Sequence, residues 1–449
     1  MRKELPCSLL ESVTLSIDRA MEIGTNAKVL VIGGGGREHA IVDALSRSPQ
    51  VAKIYCAPGN AGIAAQAECV PIGDTKVAEL ADFAEREGID LTVVGPESAL
   101  AAGVVDEFEG RGLKIFGPNR AAATIESSKD FAKSLMAKYH VPTASYRTFS
   151  DYKEALSYVE SGSFPVVLKY DGLAAGKGVV IAETMQQADE ALKDMLLDDR
   201  FGHGRVVVED FLTGPEFSML CFVNGSEVCP MVLSQDHKRA FDGDKGPNTG
   251  GMGAYTPLPF ISLEDEKYAL EQIMKPVAEA MVKEGCPFRG VLYGGLMKTP
   301  DGIKVIEFNC RFGDPETEVV LPRLQSDIYD IFWSIASWNE GQSSIPEAKW
   351  SSDAVIGFVM ASKGYPGSYE KSYVINGLEN ALADESVKIY HMGTAANVDG
   401  KILTSGGRVL MVTASAQSLH EARQKALAAV EKIECDNLFH RTDIGHWAI

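Results

Sequence analysis

The chain has 449 residues, of which 45% are hydrophobic and 23% are charged, as in ordinary folded proteins. Its formal net charge of −19 excludes non-specific attraction to nucleic acid or to an anionic membrane, although local cations can still bind small anions. Eight cysteines without a C-x-x-C pair, and no apolar run long enough to cross a bilayer, are typical of a reduced, cytoplasmic protein. This length predicts about three or four domains.

Residues 1–27 contain acidic side chains and no continuous apolar core, which disfavours a secretory signal and a transit peptide. Six apolar residues of this N-terminal extension fall on one helical face, namely Leu9, Leu10, Val13, Ile17, Ala20 and Met21. A short docked helix and a frayed tail therefore both remain open.

Short apolar strands alternate with helical patterns from Lys28 onwards. The strand-like runs are "KVLVI", "KIYCA", "LTVVG" and "KIFG", and the first helix is expected from Glu38 to Arg47. Such alternation predicts an α/β domain over residues 28–126, with a Rossmann-like parallel sheet covered by helices on both faces.

The regular alternation of strands and helices ends after residue 126. Ser127 and Ser128 can cap a helix that Pro142 ends, and the β-runs that follow predict an α+β domain over 127–350 with a smaller unit at 147–217. In the last part, "GGRVLMVTA" predicts a strand, and Ser418 with Glu421 forms a capping box. Residues 351–449 are therefore predicted as a small α+β domain.

The stretch "VLVIGGGGREHA" follows a strand and opens a helix, so its backbone can approach a phosphate. A dinucleotide site would require G-x-G-x-x-G, but the third position counted from Gly33 is Glu38, and the next strand lacks the acidic residue for a ribose. The pattern favours a single phosphate, such as a sugar phosphate, over NAD, and a purely structural tight turn stays open.

The stretch "LKYDGLAAGKGVVI" resembles a phosphate loop but is one residue short of G-x-x-x-x-G-K, and Gly178 follows the lysine where Ser or Thr would hold magnesium. It is predicted as a Gly-rich hairpin that closes over a ligand, with a mobile surface loop as the alternative. Two carboxylates in the following strand region, Glu209 and Glu216, can accept from an amine or from ribose hydroxyls, although solvated acidic residues are common there.

The segment "SQDHKRAFDGDKGPNTGGMGAYTP" concentrates charges on a turn-rich, irregular stretch, which indicates function. In this segment His237 by itself indicates a structural hydrogen-bond partner rather than a catalyst. In "VIEFNCRFGDPETE", Glu307 and Asn309 are two residues apart on a strand, so both side chains share one face and can bind one magnesium ion. This strand could supply the metal ligands, because the Gly-rich hairpin has Gly178 where a phosphate loop has a metal-binding hydroxyl. Arg311 is a fixed cation that can stabilise a phosphoryl group.

These motifs together resemble the ATP-grasp fold, in which two α+β subdomains close on ATP. More narrowly, "GGGGREHA", "APGNAG", "KYDGLAAGKGV", "SQDHKRAFDGDKGPNTGGMGAY" and "EFNCRFGDPE" are similar to the phosphoribosylamine-glycine ligase family of purine biosynthesis. The resemblance runs from Lys28 to the C-terminus, and it implies that 127–350 is an ATP-grasp domain with 147–217 as its lid.

The resemblance also implies roles for individual residues. It implies ATP ligands at Lys129, Lys169, Gly176, Lys177, Gly178, Glu209, Leu212 and Glu216, with Glu209 at the adenine amine and Glu216 at the ribose. It implies metal ligands for Mg²⁺ or Mn²⁺ at Glu307 and Asn309. It implies contacts to phosphoribosylamine at Gly34, Gly35, Gly36, Arg37, Glu38, His39 and Glu97. It implies a glycine and acyl-phosphate site at Asp236, Lys238, Arg311 and Asp314.

Two departures from the family pattern stand out. The family usually starts near Lys28, so the first 27 residues have no counterpart. Glu318 follows "GDPET" where glutamine is common, and we expect that position to be peripheral to the site.

The expected reaction joins glycine to 5-phosphoribosylamine through glycyl phosphate, with ATP as the energy source. The chain is expected to act as a monomer on small molecules. Two alternatives remain at this point: another ATP-grasp ligase, such as a carboxylating purine enzyme, and a dehydrogenase-like or non-catalytic nucleotide-binding protein.

Overall fold

The computed structural model describes residues 26–172, 178–198, 204–338 and 344–449. The expectation for an N-terminal extension therefore falls, up to residue 25, outside the described residues.

A five-stranded parallel sheet forms the N-terminal region, in the order β3-β2-β1-β4-β5. Along β1, Val29 and Val31 pack into one core cluster while Leu30 and Ile32 pack into another, so both faces of the sheet are covered. The strands are β1 (Ala27–Gly33), β2 (Val51–Pro58), β3 (Glu68–Cys69), β4 (Leu91–Val94) and β5 (Ile115–Phe116). The helices are α1 (Gly36–Ser46), α2 (Val77–Glu87), α3 (Glu97–Ala102), α4 (Val104–Gly110) and α5 (Arg120–Ser127). The predicted parallel sheet is confirmed.

Two antiparallel four-stranded sheets follow. The smaller sheet, in the order β6-β9-β7-β8, carries the Gly-rich hairpin between β7 and β8, and the larger has the order β11-β10-β16-β17. The smaller sheet consists of β6 (Tyr146–Phe149), β7 (Val166–Tyr170), β8 (Val179–Ala182) and β9 (Val206–Asp210). The larger consists of β10 (Glu216–Asn224), β11 (Glu227–Pro230), β16 (Arg289–Thr299) and β17 (Gly302–Asn309).

Several helices of this central part are capped by side chains, the first of them by Ser128, as the sequence predicts. Ser128 accepts a hydrogen bond from the Phe131 amide at the start of α6, and Thr184 does the same for the Gln187 amide in α8. These helices are α6 (Lys129–Lys138), α7 (Tyr152–Glu160), α8 (Met185–Leu196), α9 (Leu263–Ala269), α10 (Lys275–Lys283), α11 (Thr317–Val320) and α12 (Ile328–Ala336). A π-helical turn, Leu270–Met274, joins α9 to α10, and short 3₁₀ turns lie at Ile63–Ala65 and Leu321–Arg323.

The charged stretch around residues 235–256 was expected to be irregular, but it forms four short strands. They are β12 (Gln235–Asp236), β13 (Arg239–Phe241), β14 (Lys245–Asn248) and β15 (Gly253–Thr256). Strands β13 and β14 form an antiparallel ribbon with a register shift. The turn residues at its tip explain why the sequence pattern did not predict the pairing.

The C-terminal sheet includes strands from both sides of residue 350. Its order is β12-β15-β18-β22-β19, with β23 beside β18, so β12 and β15 join strands from much later in the chain. The later elements are β18 (Ala354–Ser362), α13 (Leu378–Ala381), β19 (Val387–His391), β20 (Thr394–Ala396), β21 (Ile402–Thr404), β22 (Arg408–Ala416), α14 (Leu419–Val430) and β23 (Leu438–Phe439). This sharing holds the C-terminal region against the central part of the molecule.

No helix within the described ranges is long and apolar enough to cross a membrane.

Candidate active site

A cavity of about 450 Å³ lies where the N-terminal, central and C-terminal regions meet. The predicted residues that line it are Arg37, Glu97, Lys129, Lys169, Gly178, Glu209, Asp236, Lys238, Glu307, Asn309, Arg311 and Asp314. Side chains expected to bind ATP, metal and both other substrates therefore border one space.

The two residues predicted as metal ligands, Glu307 and Asn309, lie at the end of β17. Glu307 and Asn309 both line the cavity, and the Asn309 side-chain oxygen accepts a hydrogen bond from Arg311 over 3.3 Å. Burial by itself would raise the pKa of Glu307, but the cations Lys238, Lys169, Lys129 and Arg311 outweigh it and lower the pKa. Glu307 is therefore an ionised, partly buried carboxylate that faces the cavity.

A charge network connects the N-terminal region to this strand end. Arg311 Nε lies 3.2 Å from Glu97 Oε2, and its Nη2 lies 3.1 Å from Glu126 Oε1. Arg37 Nη1 lies 3.7 Å from the same Glu97 oxygen. Burial would raise the pKa of Glu97, but Arg311 and Arg37 lower it to about 2. The two arginines are therefore held side by side by a shared anion.

Three lysines, Lys129, Lys133 and Lys169, lie along one side of the cavity. Lys169 on β7 lies 3.0 Å from Glu209 Oε1 and donates to the Ile306 carbonyl, while Lys133 lies 2.8 Å from Glu209 Oε2. Lys129 donates to the Gly172 carbonyl. Burial lowers the pKa of Lys133 to about 8, against the opposing effect of Glu209. Both carboxylate oxygens of Glu209 therefore lie within ion-pair distance of a lysine.

Asp236 on β12 and Lys238 form the opposite side of the cavity. Lys238 Nζ lies 3.0 Å from Glu216 Oε2 at the start of β10, so Glu216 is joined to the site through this lysine. Burial raises the pKa of Asp236 to about 7; Glu316 and Glu216 act in the same direction, whereas Lys238 opposes it. Asp236 can therefore exchange a proton near neutral pH.

The glycine-rich loop, Gly33–Gly36, leads into α1, and the stretch from Gly34 to His39 was predicted to contact a substrate. Glu38 accepts from the Gly35 amide over 2.6 Å and from Arg37 Nε, and it is buried beneath the loop. His39 Nδ1 accepts from the His391 amide, and burial lowers the pKa of His39 to about 3. These two side chains hold the loop and the C-terminal region, so only Arg37 of this stretch lines the cavity.

Glu318 was expected to be peripheral to the site; it does not line the cavity, and it is fully buried. It lies on α11, and its Oε1 would be 2.3 Å from a Cβ atom placed on Gly36.

His237 is confirmed as a hydrogen-bond partner. Its Nε2 accepts from the Gly445 amide over 3.0 Å, which places the ring proton on Nδ1, 3.7 Å from Asp244. Asp244 and His446 are close enough to complete a metal-binding cluster, but this proton arrangement blocks coordination through Nδ1.

Several predicted residues do not line the cavity. Leu212 lies between β9 and β10, and Gly34, Gly35 and Gly36 form the turn into α1. Gly176 and Lys177 fall outside the described residues, and so does most of the Gly-rich hairpin.

The sequence analysis missed the cavity-lining residues Glu126, Lys133, Tyr293, Glu316, Tyr365 and Arg408. Lys133 had a usable signal, since it is four positions after Lys129 on one helix and shares its face. Tyr365 and Arg408 had none, because only the folded chain brings the C-terminal region to the cavity.

Comparison with known families matches three successive models. They are the phosphoribosylglycinamide synthetase N domain over residues 27–126, the ATP-grasp (A) domain over 127–317 and the C domain over 355–447.

Individual relatives agree with these matches. The phosphoribosylamine-glycine ligase of Halalkalibacterium halodurans is 51% identical over 423 residues, covering 94% of this chain and 97% of the relative, and that of Neisseria meningitidis serogroup A is 48% identical over 425 residues, covering 94% and 99%. The crystal structure of the Thermotoga maritima phosphoribosylamine-glycine ligase has a TM-score of 0.80 at 31% identity and covers 93% of this chain and all of that one. The chain belongs to the phosphoribosylglycinamide synthetase family.

Proposed function

We propose that the protein joins glycine to 5-phosphoribosylamine at the expense of ATP, giving glycinamide ribonucleotide, ADP and phosphate. The observation that carries this proposal is the single cavity in which lysines, oxygen ligands and arginines from three regions meet, in a chain of this family. The N-terminal loop with Arg37 and Glu97 would receive the phosphoribosylamine, and the Lys129 and Lys169 side would receive ATP.

Glu307 and Asn309 fit a magnesium or manganese ion. An ionised carboxylate and an amide oxygen are hard oxygen ligands, and the surrounding cations keep Glu307 charged without being in direct contact with it. When bound, the metal would neutralise charge on the phosphate oxygens of ATP.

The first step would activate the glycine carboxylate. One carboxylate oxygen attacks the γ-phosphorus of ATP, the bond to the bridging oxygen breaks, and ADP leaves, so that glycyl phosphate forms. Arg311 and Lys238 are placed to hold the glycine carboxylate and the transferred phosphoryl group, because both line the cavity close to Glu307.

The second step would form the amide. The phosphoribosylamine nitrogen attacks the carbonyl carbon, phosphate leaves with the electrons of the broken C–O bond, and the nitrogen loses a proton. We assign Asp236 as the acceptor of that proton, because its pKa of about 7 leaves a substantial fraction ionised at neutral pH.

The test is release of ADP and phosphate by purified protein supplied with ATP and magnesium, with glycine and freshly generated phosphoribosylamine omitted in turn. Release that requires both, together with glycinamide ribonucleotide detected by mass, is the expected result. Release that needs bicarbonate and not glycine would instead support a carboxylating ATP-grasp enzyme. Binding of NAD without ATP would support the dehydrogenase-like alternative.

A further inference from the structure

The stretch that carries Asp236 and Lys238 has a second face, directed away from the cavity. Asp236 and Lys238 line the cavity, whereas His237 between them lies outside its lining and is only 3% exposed. The His237 amide donates to the Gly253 carbonyl, and its carbonyl accepts from the Met252 amide, which continues the pairing of β12 with β15. Successive side chains of such an extended backbone point to opposite faces. A contact with His237 can therefore set the position of both cavity residues from behind.

Residues 441–446, which we call the C-terminal segment, contact this second face through His237. The Gly445 amide donates to His237 Nε2 over 3.0 Å, and both groups are buried. The centroids of the His237 and His446 rings are 5.2 Å apart. Gly445 has a φ of +80°, and a Cβ atom there would lie 2.9 Å from Ile356 Cδ1 on β18. The segment is therefore seated closely between the C-terminal sheet and His237.

The same segment also holds the residues that follow Lys238. Arg441 is fully buried, and its Nη1 donates to the Arg239 carbonyl over 3.0 Å. At the tip of the β13-β14 ribbon, Asp242 accepts from the amide and from the hydroxyl of Thr442, over 2.8 and 2.7 Å. The strand pair that continues from Lys238 is thus tied to the C-terminal segment at its start and at its tip.

Arg441 is itself fixed by two carboxylates. Its Nε and Nη2 donate to Asp443 over 2.7 and 2.9 Å, and Nη2 also lies 2.9 Å from Asp244 Oδ1 in the ribbon. Paired hydrogen bonds between a guanidinium group and a carboxylate fix the orientation of the group as well as its distance. The C-terminal segment and the ribbon therefore meet through a rigid, buried side chain.

We infer that the C-terminal segment is a positioning element of the active site, in which His237 and Arg441 act as positioning residues that set Asp236 and Lys238 in the cavity. The effect on turnover rests on the proposed function, in which Lys238 holds the glycine carboxylate and Asp236 accepts a proton. The contacts of the segment with the stretch do not rest on it. A displacement of about 1 Å at such groups can lower a rate by about 100-fold.

Hydrogen exchange followed by mass spectrometry tests the contact itself. In His237→Phe the ring keeps its shape but cannot accept, so the buried Gly445 amide loses its acceptor. Peptides within 236–253 should then exchange about tenfold faster, the change expected for one buried hydrogen bond. In His237→Gln the amide oxygen can accept in place of Nε2, so exchange should return towards that of wild type. His420→Phe, at an exposed position of α14, is the matched control and should change nothing.

Steady-state kinetics and calorimetry test positioning. In His237→Phe the kcat/KM for glycine should fall by about 10- to 100-fold. The Kd for ATP should change by less than about twofold, because Lys129, Lys133 and Lys169 lie on the opposite side of the cavity. His237→Gln should recover most of the lost activity. Partial unfolding would instead lower kcat and the number of ATP-binding sites together, with the KM for glycine unchanged.

Each outcome bears on a separate part of the inference. Unchanged exchange in His237→Phe would overturn the contact, and faster exchange with unchanged glycine kinetics would overturn the positioning role. Equal losses in His237→Gln and His237→Phe would show that the Gly445 hydrogen bond is not responsible. Absence of glycine-dependent turnover in wild type would overturn the proposed function, while hydrogen exchange would still decide whether the segment holds the stretch.

A second variant covers the case in which His237→Phe does not fold. Asp242 is exposed, and Asp242→Ala removes the acceptor of both Thr442 hydrogen bonds without leaving a cavity in the core. Exchange within 239–248 should rise, and kcat/KM for glycine should fall, by less than in His237→Phe. Exchange and kinetics that both match wild type would overturn the inference.

Discussion

Glu307 is a partly buried carboxyl group and Glu318 a fully buried one, and their surroundings shift the two pKa values in opposite directions. Around Glu307, four cations overcome the cost of burial and keep the group ionised. Around Glu318, Asp314 reinforces the effect of burial and Arg408 only partly opposes it. The comparison teaches that burial alone does not set the protonation state, since the balance of neighbouring charges decides it. The centre around Glu307 is rich in cations and is suited to phosphate and metal. The junction around Asp314 and Glu318, where the three regions join, is acidic.

The largest effect is expected at the cation-rich centre, from Glu307→Gln. This change removes an anion that faces four cations and one proposed metal ligand, so kcat should fall on the order of 10²–10³-fold. ADP release measures it, with E385Q as the control for loss of a carboxylate. Folding should persist, because Lys169 and Lys238 keep their partners Glu209 and Glu216. Near-normal turnover would remove Glu307 from the proposed ligands.

Arg311→Lys should come next, because it keeps the charge but loses the fork that reaches Glu97, Glu126 and Asn309 together. Misplacement of the cation should lower kcat/KM for glycine by up to about 100-fold. Steady-state kinetics at saturating ATP measures this. Lys193→Arg, on the exposed side of α8, is the matched control and should change nothing. Equal activity of Arg311→Lys and wild type would show that charge alone is sufficient.

The pKa of Asp236 lies between the lowered pKa of Glu307 and the raised pKa of Glu318, and its titration should be visible in a profile of kcat against pH. With a pKa of about 7, the ionised base is lost as pH falls below 7, so kcat should decrease by about tenfold per pH unit in that range. Asp236→Asn should be slow and should lack this limb of the profile. A variant that keeps the wild-type limb would mean that another group accepts the proton.

The smallest effect is expected for His39, which joins α1 to the C-terminal region through the His391 amide. Its folded pKa of about 3 is below its ordinary value, so the stability it provides is complete above about pH 6.5 and is lost as pH falls. Chemical denaturation should show a loss of about 1–2 kcal/mol from this group between pH 7 and 5. In His39→Asn, whose amide oxygen can still accept from the His391 backbone, that part of the loss should disappear. Unchanged acid sensitivity would mean that His39 is not the responsible group.

The phosphate and metal side of the cavity was the more predictable part of the site. Strand alternation placed Glu307 and Asn309 at one cavity, and Lys169 was correctly placed on the strand before the hairpin. The glycine-loop side was less predictable, because Glu38 and His39, which were predicted as substrate contacts, also accept hydrogen bonds from backbone amides. Local sequence cannot distinguish a polar residue that faces a ligand from one that satisfies a distant amide.

The sequence by itself determined the parallel sheet, the capped helices and the metal-ligand strand, because apolar periodicity, capping residues and alternation act over a few neighbouring positions. Tertiary structure alone decided that β12 and β15 would join the C-terminal sheet, that Arg408 would reach the cavity, and that Glu318 would be enclosed beside Asp314. Those outcomes depend largely on contacts between residues far apart in the sequence, and the sum of the charges brought together there fixes which carboxyl is ionised.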